Sequence, residues 1–129
     1  MAGLSLRVLV DNMTLIDRYY SGEPGFSCFL TCDGKNILFD TGYSGAVLAN
    51  AAKMGIDLFR LDTIVLSHGH NDHTGGLPHL LNAYLEAAIE TRSFRRPELL
   101  AHPDCFCPRP VLPAGDIGCP VGKIGRAHV

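Results

Sequence analysis

Apolar and polar positions fall into short blocks separated by clear breaks. Leu4-Ser-Leu-Arg-Val-Leu-Val10 mixes β-branched and apolar residues and stops at Asp11-Asn12, the pattern of a strand. Residues 11–25 hold Asp, Asn, Gly and Pro and read as a long loop. Phe26–Thr31 reads as a second strand and Asn36–Phe39 as a third. Asp33-Gly34 between them is a hairpin-turn signal, so these two strands should pair antiparallel. From Ser44 to Met54 the chain is Ala-rich, with Val47, Leu48, Ala51 and Ala52 at helical spacing. Ser44 suits an N-cap and Gly55 a C-terminal stop. Ile56–Arg60 adds a short helical turn. Thr63–Leu66 is β-rich without alternation, which predicts a buried strand. Leu77 to about Glu90 repeats apolar residues at Leu77, Leu80, Leu81, Tyr84 and Leu85 and predicts a second helix, and Leu99–Ala101 one more strand. After Pro103, the residues Pro108, Pro110, Pro113 and Pro120, with Gly115, Gly118, Gly122 and Gly125, leave no room for a regular element.

This order predicts an α/β fold, a sheet with helices on one face. The other face needs a cover, and no segment is left to provide one. The sequence is therefore expected to be part of a larger domain.

Composition narrows the class. A chain of 129 residues, 47% hydrophobic and 19% charged, suits one globular domain and excludes a charge-rich disordered tail. The balance of 11 Lys+Arg against 13 Asp+Glu gives no electrostatic case for nucleic acid or anionic lipid. No apolar run approaches the ~20 residues of a membrane span. The start, Met1 to Asp11, is too short for a signal peptide. Five cysteines, odd in number and unevenly spaced, point to reduced thiols and a cytoplasmic setting. The expected partner is a small-molecule substrate, with no nucleic acid and no membrane; the oligomeric state stays open.

The strong chemical signal is His68-x-His70-x-Asp72-His73. Three imidazoles and a carboxylate within six residues are the donor types of catalytic zinc, and they also suit iron and manganese. An apolar strand delivers them at its C-terminal end, where α/β sheets place their sites. Gly69, Gly75 and Gly76 permit tight backbone around them. A solvated polar loop explains one such histidine better than it explains four donors at this spacing.

Ile37-Leu-Phe-Asp-Thr-Gly42, followed by Ser67-His-Gly-His-Asn-Asp-His-Thr-Gly-Gly-Leu77, resembles the metallo-β-lactamase superfamily. Leu9-Val-Asp-Asn12, Gly25-Phe-Ser27, Asn50 and Ala101-His-Pro-Asp104 are similar to its branch of dihydropterin-ribofuranosylaminobenzene-phosphate-synthase-like proteins. The resemblance covers about Leu4 to Asp104. It implies the N-terminal half of an αββα sandwich with two divalent metal ions, zinc first and iron or manganese as alternatives. It implies that His68 and His70 bind one ion, that Asp72 and His73 bind the other, and that Asp40 supports the metal loop from close by. The implied reaction is hydrolysis of an ester or phosphoester by a metal-bound hydroxide, which the catalytic Asp72 orients. The alternatives are a pterin-related transferase of the same fold and a non-catalytic truncated metal-binding chain. The family pattern also needs a further His for each ion and a bridging Asp downstream, which this chain lacks. Weak metal binding and little turnover are expected of this polypeptide alone.

Ile124–Val129 resembles the translation of a sequencing-library adapter. Residues 1–123 are expected to be the N-terminal part of the domain and 124–129 a non-native tail, which sets His128 aside. His102-x-x-Cys105-x-Cys107, with Cys119, is spaced poorly for a second zinc site and reads as incidental thiols, with His102 near the site mouth. Cys28 and Cys32 read as small apolar fillers. His79 reads as solvated, and Arg92, Arg95 and Arg96 as a solvated helix end rather than a phosphate site. Tyr19, Tyr20 and residues 22–25 suit a pocket wall or a surface loop equally.

Overall fold

Local signals place most of the elements in the computed structural model, which describes residues 3–107, 110–111 and 115–116. They are β1 (Leu4–Val10), β2 (Ser27–Cys32), β3 (Lys35–Phe39), α1 (Ala46–Met54), β4 (Thr63–Val65), α2 (Asn71–Thr74), α3 (Leu77–Ile89) and β5 (Glu98–Leu100). A 3-10 turn at Leu58–Arg60 supplies the short helical segment expected before β4. Asp33 and Gly34 both take positive φ, 50° and 78°, the geometry of a two-residue hairpin that follows strand twist. Gly55, at φ 71°, closes α1 by donating its N–H to Ala51 O and Ala52 O.

The sheet runs β1-β2-β3-β4-β5. The first three strands are antiparallel, and β3, β4 and β5 are parallel. Each parallel step carries a helix, because parallel neighbours need a crossover. Register puts Phe29, Leu38, Ile64 and Leu99 in one row across the sheet. That row packs with Val47 and Ala51 of α1 and with Leu77, Leu80 and Tyr84 of α3. A fully buried Leu such as Leu38 or Leu80 contributes roughly 1.5–3 kcal/mol.

The next residues along each strand face the other way. Leu6, Leu30 and Ile37 form one row, and Val8, Cys28, Phe39, Val65 and Leu100 another. Leu6, Val8 and Leu100 remain 55%, 42% and 40% exposed. Among the described residues this face is exposed at the edge strands β1 and β5 and half-buried to buried at β2, β3 and β4, and it corrects the reading of β4 as buried on both sides. Ile64 is buried, but Thr63 and Val65 are only half-buried, since helices cover one face.

Two further expectations are corrected. Ser44 is not the N-cap of α1: the helix starts after Gly45. Ser44 instead donates its hydroxyl to Glu23 Oε2 at 2.5 Å, while its oxygen accepts the Ala46 N–H at 3.2 Å. After Pro103 the chain is not free of regular structure. A 3-10 turn spans Pro103–Phe106, and β6 (Pro110–Val111) pairs antiparallel with β7 (Gly115–Asp116). Proline is tolerated where no ladder N–H is required. Cys119, His128 and the tail 124–129 lie outside the described residues. Among the described residues, no helix is long and apolar enough to cross a membrane.

Candidate metal centre

The chain leaves the sheet after β4, with Leu66 N–H still held by Leu100 O at 3.0 Å. Ser67 to His70 then form a loop at the C-terminal end of the parallel strands. His70 is extended, and its carbonyl accepts from His73 N–H at 3.0 Å, Thr74 N–H at 3.1 Å and Thr74 Oγ at 3.1 Å. These bonds close the single turn of α2, which swings Asp72 and His73 back over His68. The His68 ring lies 4.2 Å from that of His73 and 4.7 Å from that of His70, centroid to centroid.

Backbone bonds fasten this turn to the ends of β2 and β3. Thr41 N–H donates to His73 O at 2.7 Å, Gly76 N–H to Gly42 O at 3.2 Å, and Phe26 N–H to Asp72 O at 3.1 Å. The approach is close enough to need glycine. A Cβ on Gly76 would lie 2.0 Å from Thr41 O, and one on Gly75 2.2 Å from Tyr43 O.

Asp40 sits at the hub, 1% exposed, in the left-handed region at φ 57°. That conformation costs roughly 1–2 kcal/mol for a residue with a side chain, and the bonds it permits offset it. Asp40 Oδ1 accepts the Ser67 N–H at 2.7 Å. Oδ2 accepts the Ser67 hydroxyl at 2.6 Å and faces His73 Nδ1 at 2.7 Å. A carboxylate only accepts, so His73 Nδ1 carries the proton and Nε2 keeps its lone pair. His73 Nε2 lies 3.4 Å from Asp72 Oδ2. The pKa of His68 is pushed below the usual imidazole range, first by burial and then by repulsion from His73 and His70, with Asp40 and Asp72 opposing. Its neutral, ligand-competent form is thereby favoured.

Two overlapping groups bring ligand atoms within 4.8 Å of one another: Asp40, His68 and His73, and His68, His70 and Asp72. Asp40 is buried with both oxygens engaged, so it acts from behind the others. The remaining donors, three imidazoles and the Asp72 carboxylate, fit a divalent ion of the zinc, iron or manganese type.

The other candidates fall elsewhere. His102 follows β5 and is exposed, with Nδ1 accepting the Asp104 N–H at 3.1 Å. Cys105 is buried beneath the motif loop, where a Cβ on Gly69 would lie 2.9 Å from Cys105 Cα, and Cys107 is exposed. Among the described residues, these two cysteines and His102 join no metal-capable group. Cys28 is buried and Cys32 half-buried. His79 is exposed, its Nδ1 3.3 Å from a Cβ built on Gly45. Arg95 pairs with Asp62 at 2.5 Å and Arg92 with Glu90 at 2.9 Å. Tyr19 is 84% exposed, while Tyr20 lines a hollow with Asn50 and Met54.

Sequence reasoning missed Ser67 and Glu23. Glu23 Oε1 accepts Tyr43 N–H at 2.7 Å and Ser44 N–H at 3.1 Å, pinning the long loop to the turn after β3. Nothing local marks either residue as an anchor, since Glu23 meets Tyr43 and Ser44, and Ser67 meets Asp40, across at least twenty positions.

Comparison with known proteins follows the same lines. The profile of the metallo-beta-lactamase superfamily matches residues 21–106. Over 101 residues the chain is 32% identical to an uncharacterized protein of Methanocaldococcus jannaschii, a match covering 78% of this chain and 35% of that protein. Over 44 residues it is 50% identical to the 7,8-dihydropterin-6-methyl-4-(beta-D-ribofuranosyl)-aminobenzene-5'-phosphate synthase of the same organism, covering 33% of this chain and 15% of that one. Among solved structures it is similar to a diphosphatase of the PhnP family, with a TM-score of 0.53 at 25% identity over 81% of this chain and 44% of that chain. The chain thus spans 35% or less of the length of these two curated relatives.

Proposed function

The chain belongs to the metallo-β-lactamase superfamily, and from that membership we propose that it carries the ligand loop of a metal-dependent hydrolase acting on a small-molecule ester or phosphoester. The observation that carries this reading is the convergence of His68, His70, Asp72 and His73 at one end of the parallel strands, with His73 oriented by Asp40. In this reading His68 and His70 hold one divalent ion, and Asp72 and His73 the second. Such ions supply a water acidified toward a pKa of ~7 and polarise a carbonyl or phosphoryl oxygen. The protein's own part is to favour the neutral form of His68, to aim Nε2 of His73, and to orient the attacking water through Asp72, which is 42% exposed. The phosphoester preference draws on the similarity to a diphosphatase.

A second reading, transfer chemistry on a pterin precursor, draws on the 50% identity to the dihydropterin-related synthase. A third, non-catalytic reading draws on the donor count. Among the described residues, two protein ligands per ion fall short of the ~3 usual for catalytic zinc.

Zinc titration by calorimetry tests the common core of the first two. Stoichiometric binding near micromolar zinc, abolished in the His68→Ala/His70→Ala double variant, is the expected result for a self-sufficient site. Absence of binding by the unmodified chain overturns that reading in favour of a half-site.

A further inference from the structure

We infer that Ser67 is a positioning residue that sets the tautomer of His68, so that Asp40 and Ser67 together pre-set two imidazoles to present Nε2. A count of protons fixes the arrangement. The Ser67 hydroxyl has one proton and lies 2.6 Å from Asp40 Oδ2, the distance of a charge-assisted O–H···O bond. A carboxylate only accepts, so that proton points at Asp40. Ser67 Oγ also lies 2.8 Å from His68 Nδ1. With its proton committed, Oγ can only accept there, and Nδ1 must carry the hydrogen. The reverse arrangement would set two lone-pair-bearing oxygens face to face at 2.6 Å. Ser67 cannot drift from this role, because its own N–H is bound to Asp40 Oδ1 at 2.7 Å.

The same buried carboxylate therefore fixes His73 directly and His68 through one hydroxyl. His102 provides an internal contrast. Its Nδ1 accepts the Asp104 N–H, so its neutral ring carries the proton on Nε2. The hydrogen-bond assignment stands on this geometry alone. Its consequence for metal affinity rests on the proposed ligand role of His68. Partners of this kind change metal affinity by roughly 10–100-fold when removed.

The test uses the whole chain with 15N-labelled histidine, without metal, at a pH of about 8.5 where imidazoles are neutral. Long-range 1H–15N spectra should show His68 and His73 protonated on Nδ1 and His102 on Nε2. In Ser67→Ala, His68 should lose its Nδ1–H preference while His73 keeps its own; Ser67→Thr, which retains the hydroxyl, should match the unmodified protein. Zinc titration of the same variants should show about 10–100-fold weaker binding for Ser67→Ala and near-normal binding for Ser67→Thr. Protonation of His68 on Nε2 in the unmodified chain overturns the inference, as does an unchanged His68 in Ser67→Ala. If Ser67→Ala does not fold, the unmodified and Thr spectra still decide. Correct tautomers with no zinc binding would uphold the inference and overturn the self-sufficient metal site instead.

Discussion

Replacing Gly76 with alanine tests whether the turn after β3 and the histidine loop form one mechanical unit. The added Cβ would lie 2.0 Å from Thr41 O, 2.9 Å from Ser44 O and 3.0 Å from Thr41 C. All three neighbours are backbone, so no rotamer change relieves the clash. Carbon–oxygen contacts settle near ~3.3 Å, so the two segments must part by about 1.3 Å. That motion carries Gly76 N–H away from Gly42 O, now at 3.2 Å, and Thr41 N–H away from His73 O, now at 2.7 Å. Two lost bonds at about 1 kcal/mol each, with overpacking strain of about 1–3 kcal/mol, give a loss of about 3–5 kcal/mol. With a urea slope of about 1.5 kcal/mol/M, the unfolding midpoint should fall by about 2–3 M. Gly55→Ala is the control. Its Cβ meets nothing within 4 Å, and only the left-handed φ of 71° opposes it. That variant should lose about 1 kcal/mol. Equal midpoints for the two variants would refute the steric argument, as would a Gly76→Ala midpoint within about 0.3 M of the unmodified protein.

Three further outcomes follow from the geometry. Asp62 is held below the usual carboxyl range, first by the Asn36 N–H at 2.8 Å and then by Arg95 and Lys35. A lowered folded pKa means its contribution is present above the unfolded value of about 4 and is lost as pH falls below it through the lowered folded value. Asp62→Asn should therefore flatten the acid limb of the urea midpoint plotted against pH, and an unchanged limb would show that other carboxyls dominate. Tyr84 donates its hydroxyl to the buried Leu58 O at 2.7 Å, and burial pushes its pKa above the usual phenol range. Tyr84→Phe should lose about 1–2 kcal/mol in urea unfolding, and a loss below about 0.3 kcal/mol would contradict that bond's role. Leu6 lies in the uncovered apolar row and is 55% exposed. Leu6→Lys should reduce binding of a hydrophobic fluorescent dye and change stability by less than about 0.5 kcal/mol, whereas unchanged dye binding would place the exposed patch elsewhere.

Elements with a repeating or punctuated pattern were legible from the residues alone. The Asp33-Gly34 turn, the Gly55 stop and the apolar face of α3 each state a local preference that folding did not override. The donors His68, His70, Asp72 and His73 were legible as chemistry, since their residue types and spacing suffice. The turn of α2 was not, because four residues are too few to show helical periodicity. The pairing of β6 with β7 was hidden by prolines that suggest loop.

The sequence by itself determined most of the strands and the two longer helices, and which residues can donate to a metal. Those properties depend on neighbours a few positions apart. Only the tertiary structure decided how the donors are held. Asp40 reaches Ser67 across 27 positions and His73 across 33, through pairings that exist only once β3 lies beside β4. It likewise decided which side chains lie on the packed face and which on the other, because register rather than composition assigns each side chain to a face.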